Sequence, residues 1–382
     1  MTSQQQSAGG GGAALEFHAS GIAGTEEALC EELRELALPS VRFNRGGIPF
    51  RGTWRDGWRA CLQSRIAQRI HVLLARFPAP SPELLYAGVQ SVDWARHLTP
   101  MQTFSVHAVC RGSQLKHEGV TALKVKDAIV DQLRASHGTR PDVAEDPDVR
   151  VFLYLGNDKA ALYLDMSGEP LHKRGYRRDT GEAPLRETLA AAMLRMSGWD
   201  RKTRLLDPLC GSGTIAIEAA LWAANIAPGL SRERFGFERW ASFDEEAAQA
   251  LREMKGELRA ARAGQTPRII ASDVDAGVLA KAQVNARAAG VKLAFREQSV
   301  FDLQPDDQPA LIVTNPPYGV RLETDQLFPR KVMAAFCRMH GWRVALLAGA
   351  PAYAQEMSPR PRLRVPLLNG DLSCEFLLYD IP

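Results

Sequence analysis

One run does more than any other to fix what this chain can fold into: Arg204-Leu205-Leu206-Asp207-Pro208-Leu209-Cys210-Gly211-Ser212-Gly213-Thr214-Ile215-Ala216-Ile217-Glu218-Ala219-Ala220. It reads as a short strand, a glycine turn and a helix. The glycines leave the turn without side chains, so ligand atoms can approach its backbone, as they do at the strand ends of open α/β sheets. Gly211-Ser212-Gly213-Thr214-Ile215-Ala216 fits the G-x-G-x-x-A dinucleotide pattern. Two features oppose a nicotinamide cofactor. Asp207 stands before the glycines, where a carboxylate would repel a pyrophosphate, and no acidic strand end follows at the usual spacing. The next candidate strand, Arg268-Ile269-Ile270-Ala271-Ser272-Asp273, ends in a carboxylate able to take both hydroxyls of a ribose, with Val274 and Asp275 after it.

A second stretch suggests the chemistry. Asn315-Pro316-Pro317-Tyr318-Gly319 ends the apolar run Ala310-Leu311-Ile312-Val313-Thr314. A β-branched run that stops at two prolines reads as a buried strand delivering its last residues to a loop. Asn315 offers a side-chain carbonyl, the prolines cannot donate backbone hydrogen bonds, and Tyr318 adds a flat face. Two acceptors beside an aromatic plate suit a planar ring with an exocyclic amine, and nucleobases are such rings.

This stretch resembles the signature of methyltransferases that act on amino groups of adenine, cytosine or guanine in nucleic acids. The resemblance implies S-adenosylmethionine as methyl donor and a catalytic set of Asn315, Pro316, Pro317 and Tyr318. It implies a cofactor site of Asp207, Cys210, Gly211, Gly213, Thr214, Asp273, Val274, Ser299 and Asn315. In that reading Asp207 meets the methionyl ammonium and Asp273 the ribose. Members of the family commonly use an aspartate to hold the adenine amine. This chain has Ser299-Val300-Phe301-Asp302 there, so the contact falls to Ser299 or to a displaced Asp302.

Composition sets the bounds. The 382 residues suffice for two or three domains, and 45% hydrophobic with 24% charged residues is the balance of an ordinary globular protein. With a net charge of only +3, affinity for nucleic acid must come from local basic patches. Six scattered cysteines, Cys30, Cys61, Cys110, Cys210, Cys337 and Cys374, show neither C-x-x-C spacing nor a histidine cluster. No metal site or disulfide frame is expected, and a reducing cytoplasm fits. Nothing reads as a membrane span. The Gln, Ser and Gly of residues 1–14 read as a disordered tail without the apolar core of a signal peptide.

Ordered structure is expected from Leu15: a strand at Glu16-Phe17-His18-Ala19, a helix capped by Thr25 and running to about Leu38, and a second helical stretch after Trp58. The second helix is read from Ala60, Leu62, Ile66, Ile70 and Leu73, and the run Phe77-Pro78-Ala79-Pro80-Ser81-Pro82 should then break the chain. A helix, the strand Thr103–Val109, a helix from about Val120 to Leu133, and strands near Val149–Leu155 and Ala160–Met166 follow. His117, Lys124 and Lys126 could meet phosphates at a helix N-terminal end. The region Arg55 to Met166 resembles a THUMP domain, which implies recognition of structured RNA. Leu171-His172-Lys173-Arg174-Gly175-Tyr176-Arg177-Arg178, with the helix that follows Pro184, resembles the lead-in to the catalytic domain of THUMP-linked N2-guanine methyltransferases, where it helps close over the cofactor. An insertion at about Ala224 to Thr266, with Ala227-Pro228-Gly229-Leu230 and Phe235-Gly236-Phe237-Glu238-Arg239-Trp240, resembles RlmL-type enzymes.

The expected fold is therefore α/β. A Rossmann-like class I methyltransferase domain (167–382), mostly parallel with an antiparallel edge hairpin around Asn369-Gly370-Asp371, follows a ferredoxin-like α+β region (15–54) and a THUMP domain (55–166). The resemblance implies methylation of the exocyclic N2 of a guanine in 23S ribosomal RNA, with transfer RNA as runner-up. Adenine-N6 methylation of DNA and a non-catalytic RNA-binding role rank below both.

Overall fold

The computed structural model describes residues 14–177, 185–305, 308–317, 327–355 and 360–382. Two sheets, each of seven strands among these residues, organise the chain. The N-terminal sheet is built from β1 (Leu15–Ser20), α1 (Glu26–Glu35), β2 (Ile48–Gly52), α2 (Trp54–Gln63), β3 (Arg69–Pro78), α3 (Pro82–Gln90), β4 (Thr103–Arg111), α4 (Glu118–His137), β5 (Asp142–Val143), β6 (Val149–Gly156) and β7 (Lys159–Asp165). Its strand order is β2-β1-β3-β7-β6-β4-β5. Because β3 pairs with both β1 and β7, the first three strands and the last four form one continuous surface.

The helix expected beyond Trp58 is shorter than its apolar spacing suggested. It starts at Trp54, where the Asp56 carboxylate accepts the Thr53 N–H at 2.8 Å, and ends at Gln63. Ile70 and Leu73 belong to β3, where Ile70 and Val72 turn inward while Arg69 and His71 line the other face. The strand's period of two here mimics a helical period near four. Strand β3 also continues through Phe77 and Pro78, and the break falls at Ser81, whose hydroxyl caps α3. Thr25 precedes α1, but its hydroxyl donates back to the Ile22 carbonyl (2.7 Å) and caps nothing.

The second sheet comprises α5 (Glu187–Met196), β8 (Leu205–Asp207), α6 (Thr214–Ala223), α7 (Glu245–Ala260), β9 (Ile269–Asp273), α8 (Ala276–Ala288), β10 (Ala294–Glu297), β11 (Leu311–Thr314), α9 (Phe328–Cys337), β12 (Arg343–Ala348), α10 (Ala352–Gln355), β13 (Leu363–Asn369) and β14 (Leu372–Asp380). Its order is β10-β9-β8-β11-β12-β14-β13, parallel up to β12 and antiparallel at the β14 and β13 edge. The order reverses between β8 and β11. At such a switch point a crevice opens beyond the strand ends. No helix among the described residues is long and apolar enough to cross a membrane.

The two sheets are locked together. Aromatic residues of the insertion pack against the helices of the first sheet, with Phe237 stacked on Trp58 (5.9 Å) and Trp240 set edge-on to Trp54 (6.0 Å). Gly229 lies so close to α2 that a Cβ would come within 2.7 Å of the Leu62 Cα. Beside this contact is a buried charge network. Arg174, 2% exposed, sits 3.6 Å from the fully buried Glu218 of α6 and donates to the carbonyls of Leu171 and Arg65. Tyr176 donates to the same Glu218 oxygen at 3.1 Å, and Arg65 donates to the Ile226 carbonyl at 2.7 Å.

Removing one partner of a buried pair strands the other charge without water. Arg174→Ala should therefore lower stability by about 3–5 kcal/mol in urea unfolding. Replacing both partners together, Arg174→Met with Glu218→Leu, should recover most of that loss.

Candidate active site

Three parallel strands bring their C-terminal ends to the switch point. Asp207 closes β8, Asp273 closes β9 and Thr314 closes β11. Hydrogen bonds tie them into one unit. The Thr314 hydroxyl donates to Asp207 Oδ1 at 2.9 Å, the Gly211 N–H to Asp273 Oδ2 at 3.0 Å, and the Cys210 N–H to the Ser272 carbonyl at 2.9 Å. The glycine turn thus hangs between two strands. Gly211 and Gly213 have positive φ of 53° and 83°. A Cβ on Gly211 would point into open space, whereas one on Gly213 would stand 3.0 Å from the Ala282 Cβ of α8. The first glycine serves the turn and leaves room for a ligand; the second permits close packing of α8.

Asp207 is almost wholly buried. Burial raises its pKa from the ordinary carboxylate range to about 7, against hydrogen bonds from Thr314 and the Leu209 N–H, with Asp273 adding a smaller upward push. A buried carboxylate that ionises this reluctantly is poised for a cationic partner. Asp273 is partly open, and each of its oxygens keeps acceptor capacity beyond the bonds from Gly211 and Asp275 N–H. Asp275 itself caps α8, accepting from the N–H groups of Gly277 and Val278. Val274 stands 70% exposed, an uncovered apolar side chain between two aspartates.

The loop after β10 begins beside Asp273, with the Gln298 N–H donating to the Asp273 carbonyl at 3.0 Å. The Ser299 hydroxyl accepts the Phe301 N–H at 3.2 Å and so shapes a single turn, while Asp302 is exposed. Phe301, 38% exposed, sets its ring edge-on to Phe328 of α9 at 5.6 Å. Cys210 contributes backbone, since its side chain is buried and burial pushes its thiol up. The Thr214 hydroxyl accepts from Arg177 at 3.0 Å, and Arg177 also pairs with Glu187 at 3.1 Å. The lead-in is therefore turned inward: Arg174, Tyr176 and Arg177 fix α6 and the glycine turn. Arg178 lies outside the described residues.

On the other side of the switch point, the Asn315 Oδ1 is buried and has no hydrogen-bond partner among the described residues. A buried acceptor in this condition costs free energy unless a ligand supplies a donor. The Pro317 carbonyl is already engaged, accepting at 3.0 Å from the hydroxyl of Tyr353, a fully buried residue. Burial pushes that phenol's pKa up, which keeps it protonated as a donor. Tyr353 is held in turn by Tyr379, whose hydroxyl donates to the Tyr353 carbonyl at 3.3 Å. Tyr318, the expected stacking residue, lies outside the described residues.

Sequence reasoning did not find Tyr353. It stands far along the chain in a four-residue helix without a motif. Thr314 left a signal, a lone hydroxyl in an apolar strand one residue before Asn315. The lysines set aside for phosphate are placed otherwise than expected. Lys124 and Lys126 lie in the second and third turns of α4, Lys124 over the Tyr86 ring (4.8 Å) and Lys126 beside Asp127 (3.6 Å).

A glycine turn between two strand carboxylates, with an asparagine just past the end of the neighbouring strand, lies at the switch point of a mostly parallel sheet, the place where open α/β folds take a nucleotide. Residues 174–377 match the RMKL-like methyltransferase domain, residues 80–165 the THUMP domain and residues 16–71 the RlmL ferredoxin-like domain. The chain belongs to the RMKL-like methyltransferase family. Among curated relatives, the ribosomal RNA large subunit methyltransferase K/L of Syntrophotalea carbinolica is 41% identical over 97% of this chain and 54% of its own length. The chain spans about half the length of the curated relatives it matches. Among solved structures, SMU.472 complexed with SAH is 28% identical, covers 97% of this chain and 98% of its own, and superposes with a TM-score of 0.84. A predicted N6-adenine-specific DNA methylase from Listeria monocytogenes is 29% identical over 97% of each chain, with a TM-score of 0.86.

Tyr353→Phe removes the donor to the Pro317 carbonyl without changing the ring. It should cost about 1 kcal/mol in urea unfolding with an unchanged denaturant slope.

Proposed function

We propose that the chain methylates the exocyclic N2 of a guanine in large-subunit ribosomal RNA, with S-adenosylmethionine as donor. The observation that carries this reading is the buried Asn315 Oδ1, without a hydrogen-bond partner among the described residues, two residues from the Pro317 carbonyl that Tyr353 holds. The names of the curated relatives support ribosomal RNA as the class of substrate. The SAH held by SMU.472, the demethylated product of that donor, supports the cofactor. Adenine-N6 methylation of DNA is a second reading, because the same acceptors would hold an adenine amine and the Listeria neighbour is described in those terms. The THUMP match at residues 80–165 favours RNA.

The residues present fit the cofactor. Gly211 leaves space where a side chain would stand, Asp207 suits the ammonium, Asp273 the ribose hydroxyls, and exposed Val274 a face of an adenine. When bound, the cofactor supplies an electrophilic methyl group. Everything else is positioning. Asn315 Oδ1 accepts one amine hydrogen and the Pro316 carbonyl the other, which aims the nitrogen lone pair along the line of transfer. A strong general base is not required, because the amine becomes acidic only as the methyl arrives.

Losing one preorganised polar group typically costs two to three orders of magnitude in turnover. Asn315→Ala should show a fall of about that size in single-turnover methylation with both substrates saturating. A wild-type rate there would remove the loop from the chemistry. Asn315→Asp keeps an acceptor, and partial activity would identify the carbonyl oxygen as the working atom.

Asp207 gives a pH signature. Its carboxyl is protonated below about pH 7 in the free protein, and an ammonium ligand requires the carboxylate, so binding must then expel a proton. Affinity for S-adenosylhomocysteine should fall by up to about tenfold per pH unit below that point and level off above it. Calorimetry across this range checks it. Asp207→Asn should bind weakly at every pH with the profile flattened.

A further inference from the structure

Helix α8 carries a buried amide, Asn285, on the face that packs behind the glycine turn. Asn285 is 1% exposed and shares one helical face with Leu279, Ala282 and Ala286, all buried. Ala282 stands 3.0 Å from where a Gly213 Cβ would be. One turn further on, the Asn285 Nδ2 donates to the Ser212 carbonyl at 3.2 Å. An asparagine in this place is costly twice over: it is a weak helix former, and a buried amide forfeits its hydration unless it is bonded. Leucine or alanine would pack there with neither cost. The hydrogen bond to the turn is what the amide adds.

That bond falls on the part of the turn least able to hold itself. Ser212 lies between two glycines at positive φ, and peptide planes next to glycine rotate with little steric resistance. The plane joining Ser212 to Gly213 is gripped at both ends. The Gly213 N–H donates to the Cys210 carbonyl at 2.8 Å, and the Ser212 carbonyl accepts from Asn285. Only the second grip comes from outside the turn. While it holds, the plane cannot rotate, and the turn runs in a fixed form into α6, whose first N–H groups meet no helical carbonyl.

We propose that Asn285 is a positioning residue for the cofactor: through the Ser212 carbonyl it holds the glycine turn in the form that S-adenosylmethionine binds. It touches neither cofactor nor substrate. The inference rests on the turn being the cofactor site, and it extends that site to a residue 73 positions along the chain from Ser212. The cap of the same helix, Asp275, stands two residues after Asp273, so one rigid element sets both the turn and the carboxylate assigned to the ribose. Loss of the bond weakens cofactor binding and leaves the transfer step alone, because a bound cofactor draws the turn back into the same form.

Asn285→Leu and Asn285→Ala both remove the donor, the first while keeping most of the side-chain volume. Calorimetry with S-adenosylhomocysteine on the full chain should show affinity lowered about threefold to tenfold in each, the worth of one hydrogen bond. Ala286→Gly loosens the same helix without touching the turn and should bind like wild type. In urea, Asn285→Leu should unfold no earlier than wild type, which separates its weaker binding from any loss of fold. Hydrogen exchange in the free protein should quicken over residues 209–216 in both Asn285 variants and slow again when S-adenosylhomocysteine is added. In single-turnover methylation the S-adenosylmethionine concentration for half-maximal rate should rise, while the rate at saturation stays within about twofold of wild type. Wild-type affinity in both Asn285 variants, unchanged exchange over the turn, or an equal loss of affinity in Ala286→Gly would each overturn the proposal. A wild-type chain that does not bind S-adenosylhomocysteine would overturn the cofactor reading and this proposal together. Binding without methylation of any RNA would sink the proposed function alone, and the titrations would still decide the role of Asn285.

Discussion

A guanidinium and a carboxylate withdrawn from water, Arg174 and Glu218, set the geometry on which the site depends. Neither can move toward solvent without abandoning the other, and each is anchored further, Arg174 to the Arg65 carbonyl and Glu218 to Tyr176. Arg65 belongs to the approach to β3 and Glu218 to α6, the helix that starts at the glycine turn. The network therefore runs from the N-terminal sheet into the helix that carries the cofactor loop. Arg195 of α5 and Glu35 of α1, paired at 2.6 Å, add a second tie across the same seam.

Within the methyltransferase sheet a hydroxyl does comparable work on a smaller scale. Thr314 reaches from the strand before Asn315 to the carboxylate that ends β8. The two halves of the crevice, one for the donor and one for the base, are thus not independent. A change in the charge of Asp207 acts on a bond to the residue immediately before the proposed catalytic asparagine. Preorganisation of this kind demands little reorganisation at the moment of transfer.

Much of this was legible in the sequence. Asp207, Gly211, Gly213, Asp273 and Asn315 lie in short local patterns whose meaning depends on neighbours within a few positions, and the structure brings them to one crevice. The parallel sheet and its hairpin edge followed from alternation of element types. What escaped depended on distance along the chain. Tyr353 meets Pro317 only because β12 and β11 are paired, and the Arg65, Arg174 and Glu218 network joins segments more than a hundred residues apart. The error at Ile66 to Leu73 was of another kind: a few apolar positions satisfied two periods at once, and pairing with β1 and β7 decided between them.

The insertion of residues 224–266 has a consequence for how this architecture can be divided. Phe235, Phe237 and Trp240 belong by sequence to the methyltransferase unit but bury their surface in the core of the N-terminal sheet. Gly236 fits against Gly168 so closely that a Cβ would come within 2.7 Å of its backbone nitrogen. A cut at the apparent domain boundary would separate the chain neatly on paper and leave three large rings in water. The two parts interlock like joinery, so fusion or shuffling of either half requires carrying along a matching face from the other.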